Sequence, residues 1–257
     1  MAKVLRGTWQ MTLAWAFCAL WLPVIAVLML VTLGRRKDTL GAALMRIWGS
    51  GMLWIAGVRL QVDPEVRAEL ALRRARVMPF NHGSTLDLFI GAALMPAGGV
   101  TIVKRELMFV PLIGQVVLLL DIVMLDRRNR DRAAASLKAA GDRLRREKLS
   151  VFIAPEGTRA AGGQVGPFKL GAFHLAVEAR VPIVPMVWHG AGRLLPLGAW
   201  HCRSGTVRIS LLREMTMHLS GDERQPTEAS QHTQKPNDVH AMAATLRAAY
   251  QAALAAG

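Results

Sequence analysis

Two cysteines, one tyrosine and 18 acidic side chains are few for a chain of 257 residues, and each scarcity closes off a class of function. Cys18 lies inside the most apolar stretch and Cys202 lies far from any second thiol, so a disulfide framework is disfavoured and the chemistry belongs on the cytoplasmic side. No spacing of Cys and His suits zinc, and no basic run is interleaved with aromatics of the kind that stack on bases. Nucleic acid is therefore the weaker choice of partner. A G-x-S-x-G elbow is also missing, which counts against a serine hydrolase built on Ser84 or Ser150.

What is abundant is apolar surface and positive charge. Hydrophobic residues make up 52% of the chain, and 32 Lys and Arg give a formal net charge of +14. Basic charge on so apolar a chain points to an anionic phospholipid surface. Residues 11–33, MTLAWAFCALWLPVIAVLMLVTL, carry no charge and are long enough to cross a hydrocarbon core of roughly 30 Å as a helix. The run is too long for a cleaved signal peptide, and no small-x-small site precedes GRRK. Pro23 could kink the helix or let it dip and return. Lys3 and Arg6 before the run, with Arg35, Arg36 and Lys37 after it, favour a cytoplasmic C-terminal side. Residues 40–58, broken by Arg46 and Ser50, read either as an interfacial helix or second arm of a hairpin, with Leu44, Ile47, Trp48 and Trp54 facing lipid, or as a helix packed on the globular core. This divides the chain into an N-terminal membrane anchor, 1–60, and a catalytic domain, 61–257.

Beyond the anchor, short apolar runs alternate with helical patterns. Strands are expected at 57–62, 75–80, 99–103, 121–125, 150–154, 182–188 and 205–212, and helices at 86–95, 105–119, 131–147, 168–180 and 238–255. That alternation predicts an α/β fold, a mostly parallel sheet flanked by helices. In such sheets sites gather at the carboxyl ends of strands. The polar knot in MPFNHGSTLDLFI, residues 78–90, stands at such an end.

Within that knot, Ser84 followed three residues later by Asp87 fits a capping box, which by itself accounts for both. It does not account for Asn81 or His82. With Ser84 at the helix start, Asp87 falls in the first turn and its carboxylate can fold back to one imidazole nitrogen of His82. That leaves the other nitrogen facing the crevice as a general base. A second polar loop, FIAPEGTRAAGG at 152–163, turns at Pro155. It offers Glu156, backbone N–H groups around Gly157, the Thr158 hydroxyl, and Arg159, whose planar fork suits phosphate. Prolines at 182 and 185 mark a strand edge or a bulge. Between the loops, residues 103–128 carry Lys104 and Arg127 at the ends of a long apolar run, which reads as a buried helix and strand or as the lining of an acyl-chain slot.

The order of these motifs resembles the 1-acylglycerol-3-phosphate (lysophosphatidic acid) acyltransferase family of glycerolipid acyltransferases. The matching residues are Asn81, His82 and Asp87 in NHxxxxD; Pro111, Gly114, Asp126 and Arg127; Pro155 to Arg159 in PEGTR; and VPIVP at 181–185. Asp121, Met124, Ala154 and Ala160 depart from the family pattern, which bears on acceptor and chain-length preference. The resemblance implies transfer of an acyl group from coenzyme A or acyl carrier protein to the free hydroxyl of a lysolipid, most simply 1-acyl-sn-glycerol-3-phosphate. A related acceptor such as a lyso-ornithine lipid or another lysophospholipid is the alternative. It implies His82 as base, Asp87 as its partner, and an oxyanion held near Gly83 or Gly157. The acceptor phosphate would be held by Arg159, Lys104 and Arg127, with Glu156, Gly157 and Thr158 completing the loop. No metal or resident cofactor is implied. A non-catalytic lipid-binding protein is the remaining rival, and intact His82 and Asp87 count against it.

Overall fold

The computed structural model describes the chain except residues 1, 33, 36, 102–129, 160–163, 217–238 and 257. The expected strand 121–125 and helix 105–119 and the apolar run 103–128 lie outside the described residues.

Two helices open the chain, α1 (Ala2–Val31) and α2 (Ala42–Ala56), joined by a π-helical turn at Lys37–Gly41. α1 runs unbroken through Pro23. The pair is antiparallel. Gln10 near the start of α1 donates to Ala56 O at the end of α2 (3.2 Å), and Trp21 donates to Leu44 O (3.2 Å). Leu22, Ile25 and Met29 of α1 pack against Leu44, Trp48 and Met52 of α2. Leu44 and Trp48, expected to face lipid, are therefore buried between helices, while Ile47 and Trp54 are exposed. The opposite face of α2 lies on α4 (Leu86–Ala93). Their approach is so close that a Cβ on Gly49 would sit 2.4 Å from Ala93 N. The hairpin is thus fastened along the catalytic domain, with an apolar face of α1 (Val4, Trp9, Trp15, Leu20, Val27, Leu30) left uncovered. Val4–Val31 is long and apolar enough to cross a membrane.

β1 (Val58–Val62) follows at once and pairs over its full length with β6 (Gly205–Leu211), so the boundary drawn at residue 60 falls inside a strand of the sheet. α3 (Pro64–Ala71), absent from the sequence reading, starts with Pro64 at its first position. It leads through a loop to β2 (Arg76–Pro79). Arg76 is fully buried there, its guanidinium bonded to Glu69 (2.5 Å) and to Leu72 O (3.1 Å). β3 (Gly99–Thr101), α5 (Arg130–Arg146), β4 (Ser150–Ile153), α6 (Gly171–Ala179), β5 (Met186–His189), the short α7 (Ala191–Leu194), β6 and α8 (Val239–Ala256) complete the described elements.

β2, β4 and β3 form one parallel sheet in the order β2-β4-β3, and β1-β6-β5 form a second, antiparallel only between β5 and β6. The two are joined by the VPIVP segment: Val77 N donates to Pro182 O (3.0 Å), Val184 N to Val77 O (2.8 Å), and Leu212 N to Pro185 O (2.9 Å). Pro182 and Pro185 lack the donors a regular ladder needs, so the strand proper begins only at Met186. Its prolines mark an irregular seam in mid-sheet rather than an edge. α5, α6 and α8 cover one face over a core that includes Leu144, Phe173, Leu175, Leu246 and Tyr250. On the other face α2 and α4 contribute Leu53, Leu86 and Ile90 to a core with Phe152, Trp188 and Ile209. The architecture is the α/β one expected, and the carboxyl ends of β2 and β4 point both polar loops to one place.

Candidate active site

β2 ends at Pro79, and the next residues are held by groups distant in sequence. The Asn81 side chain clasps the Trp188 backbone, donating to its O (3.1 Å) and accepting from its N (2.8 Å), as a neighbouring strand would. The Phe80 ring stacks on Trp188 at 4.0 Å and meets the His82 ring edge-on at 6.2 Å. Tyr250 of α8, fully buried, donates to Pro79 O (2.7 Å).

His82 Nδ1 lies 2.8 Å from Asp87 Oδ2, and that same oxygen accepts from Gly83 N and Ser84 N, both at 2.9 Å. Asp87 is 2% exposed, and its Oδ1 has no partner among the described residues. An ionised carboxylate only accepts, so Nδ1 carries the hydrogen and the Nε2 lone pair is left toward the open side of a ring that is 29% exposed. That is the arrangement expected of a general base and its orienting carboxylate.

Ser84 is fully buried. Its hydroxyl accepts from Leu86 N (3.2 Å), the first residue of α4, and donates to Leu195 O (2.8 Å), so it ties the start of α4, whose N-cap position is Thr85, to the segment after α7. Ser150 is also buried, with its Oγ on Arg74 O (3.4 Å). Neither hydroxyl is placed as a nucleophile.

The second loop meets the first from the end of β4. Glu156, expected on the substrate, is instead 3% exposed. Its Oε1 accepts from His82 N and its Oε2 from Gly166 N, both at 2.8 Å. It holds the backbone of His82 and of Gly166 in place. Burial raises its pKa, against the lowering by those two backbone N–H groups. Arg159 Nη1 donates to Thr85 Oγ1 (2.6 Å), which brings the guanidinium to the start of α4. Thr158 is exposed beside it. Gly157 adopts φ +67°, and a Cβ there would lie 2.9 Å from Lys169 Cδ, Cε and Nζ. Lys169, not singled out from the sequence, is therefore laid over this loop, its own N–H on Pro155 O (2.8 Å) and its ammonium in no ion pair among the described residues. The oxyanion expectation needs correcting, since Gly83 N is spent on Asp87 and Gly157 N on Ala154 O (3.1 Å). Lys104 and Arg127, with Pro111, Gly114 and Asp126, lie outside the described residues. Among the described residues no three His, Cys, Asp or Glu side chains converge as a metal-ligand set.

A histidine–serine contact, His189 Nε2 to Ser210 Oγ at 2.9 Å, lies across β5 and β6. Burial and then Arg208 push the His189 pKa down, which favours its neutral form.

The fold and the site together are those of an α/β enzyme in which a buried carboxylate is held against a half-exposed histidine, with Arg159 and Lys169, in no ion pair among the described residues, on the adjoining loop. Comparison with known proteins agrees. The profile of the Acyltransferase family matches residues 64–189. The chain is 35% identical over 198 residues to human 1-acyl-sn-glycerol-3-phosphate acyltransferase beta, covering 76% of this chain and 70% of that protein. It is 38% identical over 144 residues to the 1-acyl-sn-glycerol-3-phosphate acyltransferase of Cocos nucifera, covering 56% of this chain and 46% of that protein. In the Salmonella typhimurium enzyme of the same name the match is 36% over 106 residues, 41% of this chain and 43% of that one. The chain thus spans less than half of two of these relatives. The fold matches the crystal structure of the 1-acyl-sn-glycerophosphate (LPA) acyltransferase PlsC from Thermotoga maritima with a TM-score of 0.75, over 100% of this chain and 97% of that one, at 19% identity. The chain belongs to the acyltransferase family of these enzymes.

Proposed function

We propose that this protein transfers an acyl group from a thioester, on coenzyme A or acyl carrier protein, to the free hydroxyl of 1-acyl-sn-glycerol-3-phosphate, giving phosphatidic acid. The observation that carries the reading is the His82–Asp87 pair at 2.8 Å, with Arg159 tied to the start of the same helix. His82 Nε2 takes the hydroxyl proton as the oxygen attacks the thioester carbonyl. Asp87 stabilises the imidazolium, and the proton returns to the thiolate as the carbon–sulfur bond breaks. Arg159 and Lys169 hold the phosphate monoester, joined by Lys104 and Arg127 as the family resemblance implies, while Thr158 offers a hydroxyl. The uncovered face of α1 seats in the leaflet, with the catalytic domain on the cytoplasmic side. Because α2 lies on α4, whose first turn carries Asp87, this brings the base to the lipid surface.

The test is to supply membranes bearing the protein with an acyl thioester and a mixed pool of lysolipids, then identify products by mass spectrometry. Phosphatidic acid as the dominant product, lost in His82→Ala, is the expected result. Preferential acylation of a lyso-ornithine or zwitterionic lysolipid would replace the acceptor while leaving the mechanism. A product requiring no thioester would remove both.

A further inference from the structure

The segment after α7, Leu195-Pro196-Leu197-Gly198-Ala199-Trp200, is apolar; Leu195 packs on the core, while Leu197 and Trp200 point outward, 47% and 49% exposed. It does not stand apart from the hairpin. The Trp200 ring lies on α1, where a Cβ on Gly7 would sit 2.7 Å from it. Gln10 accepts from Cys202 N (3.2 Å), and Arg6 donates to Ser204 Oγ. Trp9 and Trp54 are 63% and 79% exposed near the same end of the hairpin, where the start of α1, the end of α2 and this segment meet, and Arg6 and Arg203 are exposed there too. Indole rings with arginines at one level are the composition of a bilayer interface: the ring sits at the headgroups and the guanidinium reaches phosphate.

We propose that the 195–200 segment is a second lipid-contact element, continuous with the uncovered face of α1, whose occupant is the headgroup region of an anionic leaflet. The proposal rests on the leaflet seating of α1 given under the proposed function. Its consequence reaches the chemistry, because this segment backs directly onto the catalytic loop. Ser84 Oγ donates to Leu195 O, and the Cα of Gly192 faces Gly83 O so closely that a Cβ there would be 3.4 Å away. Lipid bound at Leu197 and Trp200 therefore sets the height of the His82 loop above the leaflet.

The experiment uses the full chain with an environment-sensitive fluorophore on Leu197→Cys or, as a reference on α1, on Val27→Cys. The unsubstituted chain, which carries half-buried Cys18 on α1 and Cys202, buried with its thiol pKa pushed up to about 11, gives the labelling background that is subtracted at both positions. Each is bound to vesicles of phosphatidylcholine and phosphatidylglycerol containing nitroxide lipid. Quenching at both positions is the expected result. Quenching at 27 with none at 197 overturns this proposal alone, and quenching at neither overturns the α1 seating beneath it as well. As a second measurement, Leu197→Ser with Trp200→Ser should lower partitioning onto the same vesicles about 10-fold to 50-fold, from two half-exposed apolar side chains no longer buried in lipid. Parent-like partitioning of a variant that melts as the parent does would also overturn it.

Discussion

Asp87→Asn separates the two things the Asp87 carboxylate does. Its Oδ2 organises three donors, His82 Nδ1 and the backbone N–H groups of Gly83 and Ser84, and its charge faces the imidazole at 2.8 Å. An asparagine with its oxygen in the place of Oδ2 can still accept all three, and its NH2 then takes the place of Oδ1, which has no donor among the described residues to lose. The loop geometry is therefore expected to survive. The charge is what goes. A pair of unit charges ~4 Å apart in a site with effective dielectric near 20 attracts by about 4 kcal/mol, and that attraction exists only once His82 has taken the proton. Removing it raises the barrier by up to that amount, roughly 100-fold to 1,000-fold in kcat. KM for the lysolipid should hold, because Asp87 is buried behind the ring and touches no substrate. Stability should fall by about 1–3 kcal/mol, as three charge-assisted hydrogen bonds become neutral ones. The assay is thiol release from an acyl thioester at saturating lysophosphatidic acid, with urea unfolding in parallel. A variant within about 3-fold of the parent kcat would refute the base assignment. A large loss of kcat in a chain that no longer unfolds cooperatively would show that Asp87 acts by holding the loop.

Arg159→Ala should lower kcat/KM for lysophosphatidic acid by roughly 10-fold to 150-fold, with Arg159→Lys recovering little and a zwitterionic lysolipid much less affected. Lys169→Gln should show the same selectivity with a smaller loss, about 10-fold, and equal losses on both acceptors would make these residues loop ties rather than phosphate ligands. Glu69→Gln strips the fully buried Arg76 of its counter-charge and should cost about 3–5 kcal/mol in urea unfolding, whereas a cost under about 1 kcal/mol would show Arg76 to be satisfied without it. Glu156 carries the pH dependence. Burial raises its pKa above the ordinary 4.5, so between that value and the raised one the folded chain holds the proton more often than the unfolded chain, and unfolding free energy falls as pH rises through the window. Glu156→Gln should lack this slope, and unfolding profiles parallel across that window would contradict it.

Much of this was legible because the signals are local. The strands leading to both loops are short apolar runs that end at polar residues, and His82 and Asp87 are close enough in sequence for a helix start to bring them together. Other features depend on partners that no local pattern names. Ser84 reads as the cap, but the N-cap position falls on Thr85; the Ser84 hydroxyl takes the Leu86 N–H and also reaches Leu195, 111 positions away. Glu156 reads as a substrate contact because a charged residue in a turn is normally solvated. Here the turn folds under the His82 backbone, and the two N–H groups it meets there offset part of the cost of burying it. Lys169 lies ten residues beyond Arg159, in a stretch with no phosphate motif, and reaches the site only because its N–H closes onto Pro155 O and Gly157, at positive φ, has no side chain in its way. α3 has weak apolar periodicity, so no stripe marks it in the sequence, although Pro64 and Glu65 are ordinary start signals. Leu44 and Trp48 expose a deeper limit. An apolar stripe records only that water is excluded, and a lipid tail and a neighbouring helix exclude it equally well. The stripe on α2 is satisfied by α1 and α4, so the requirement for lipid passes outward to α1, and the helix that touches the membrane is one layer removed from the helix that carries Asp87.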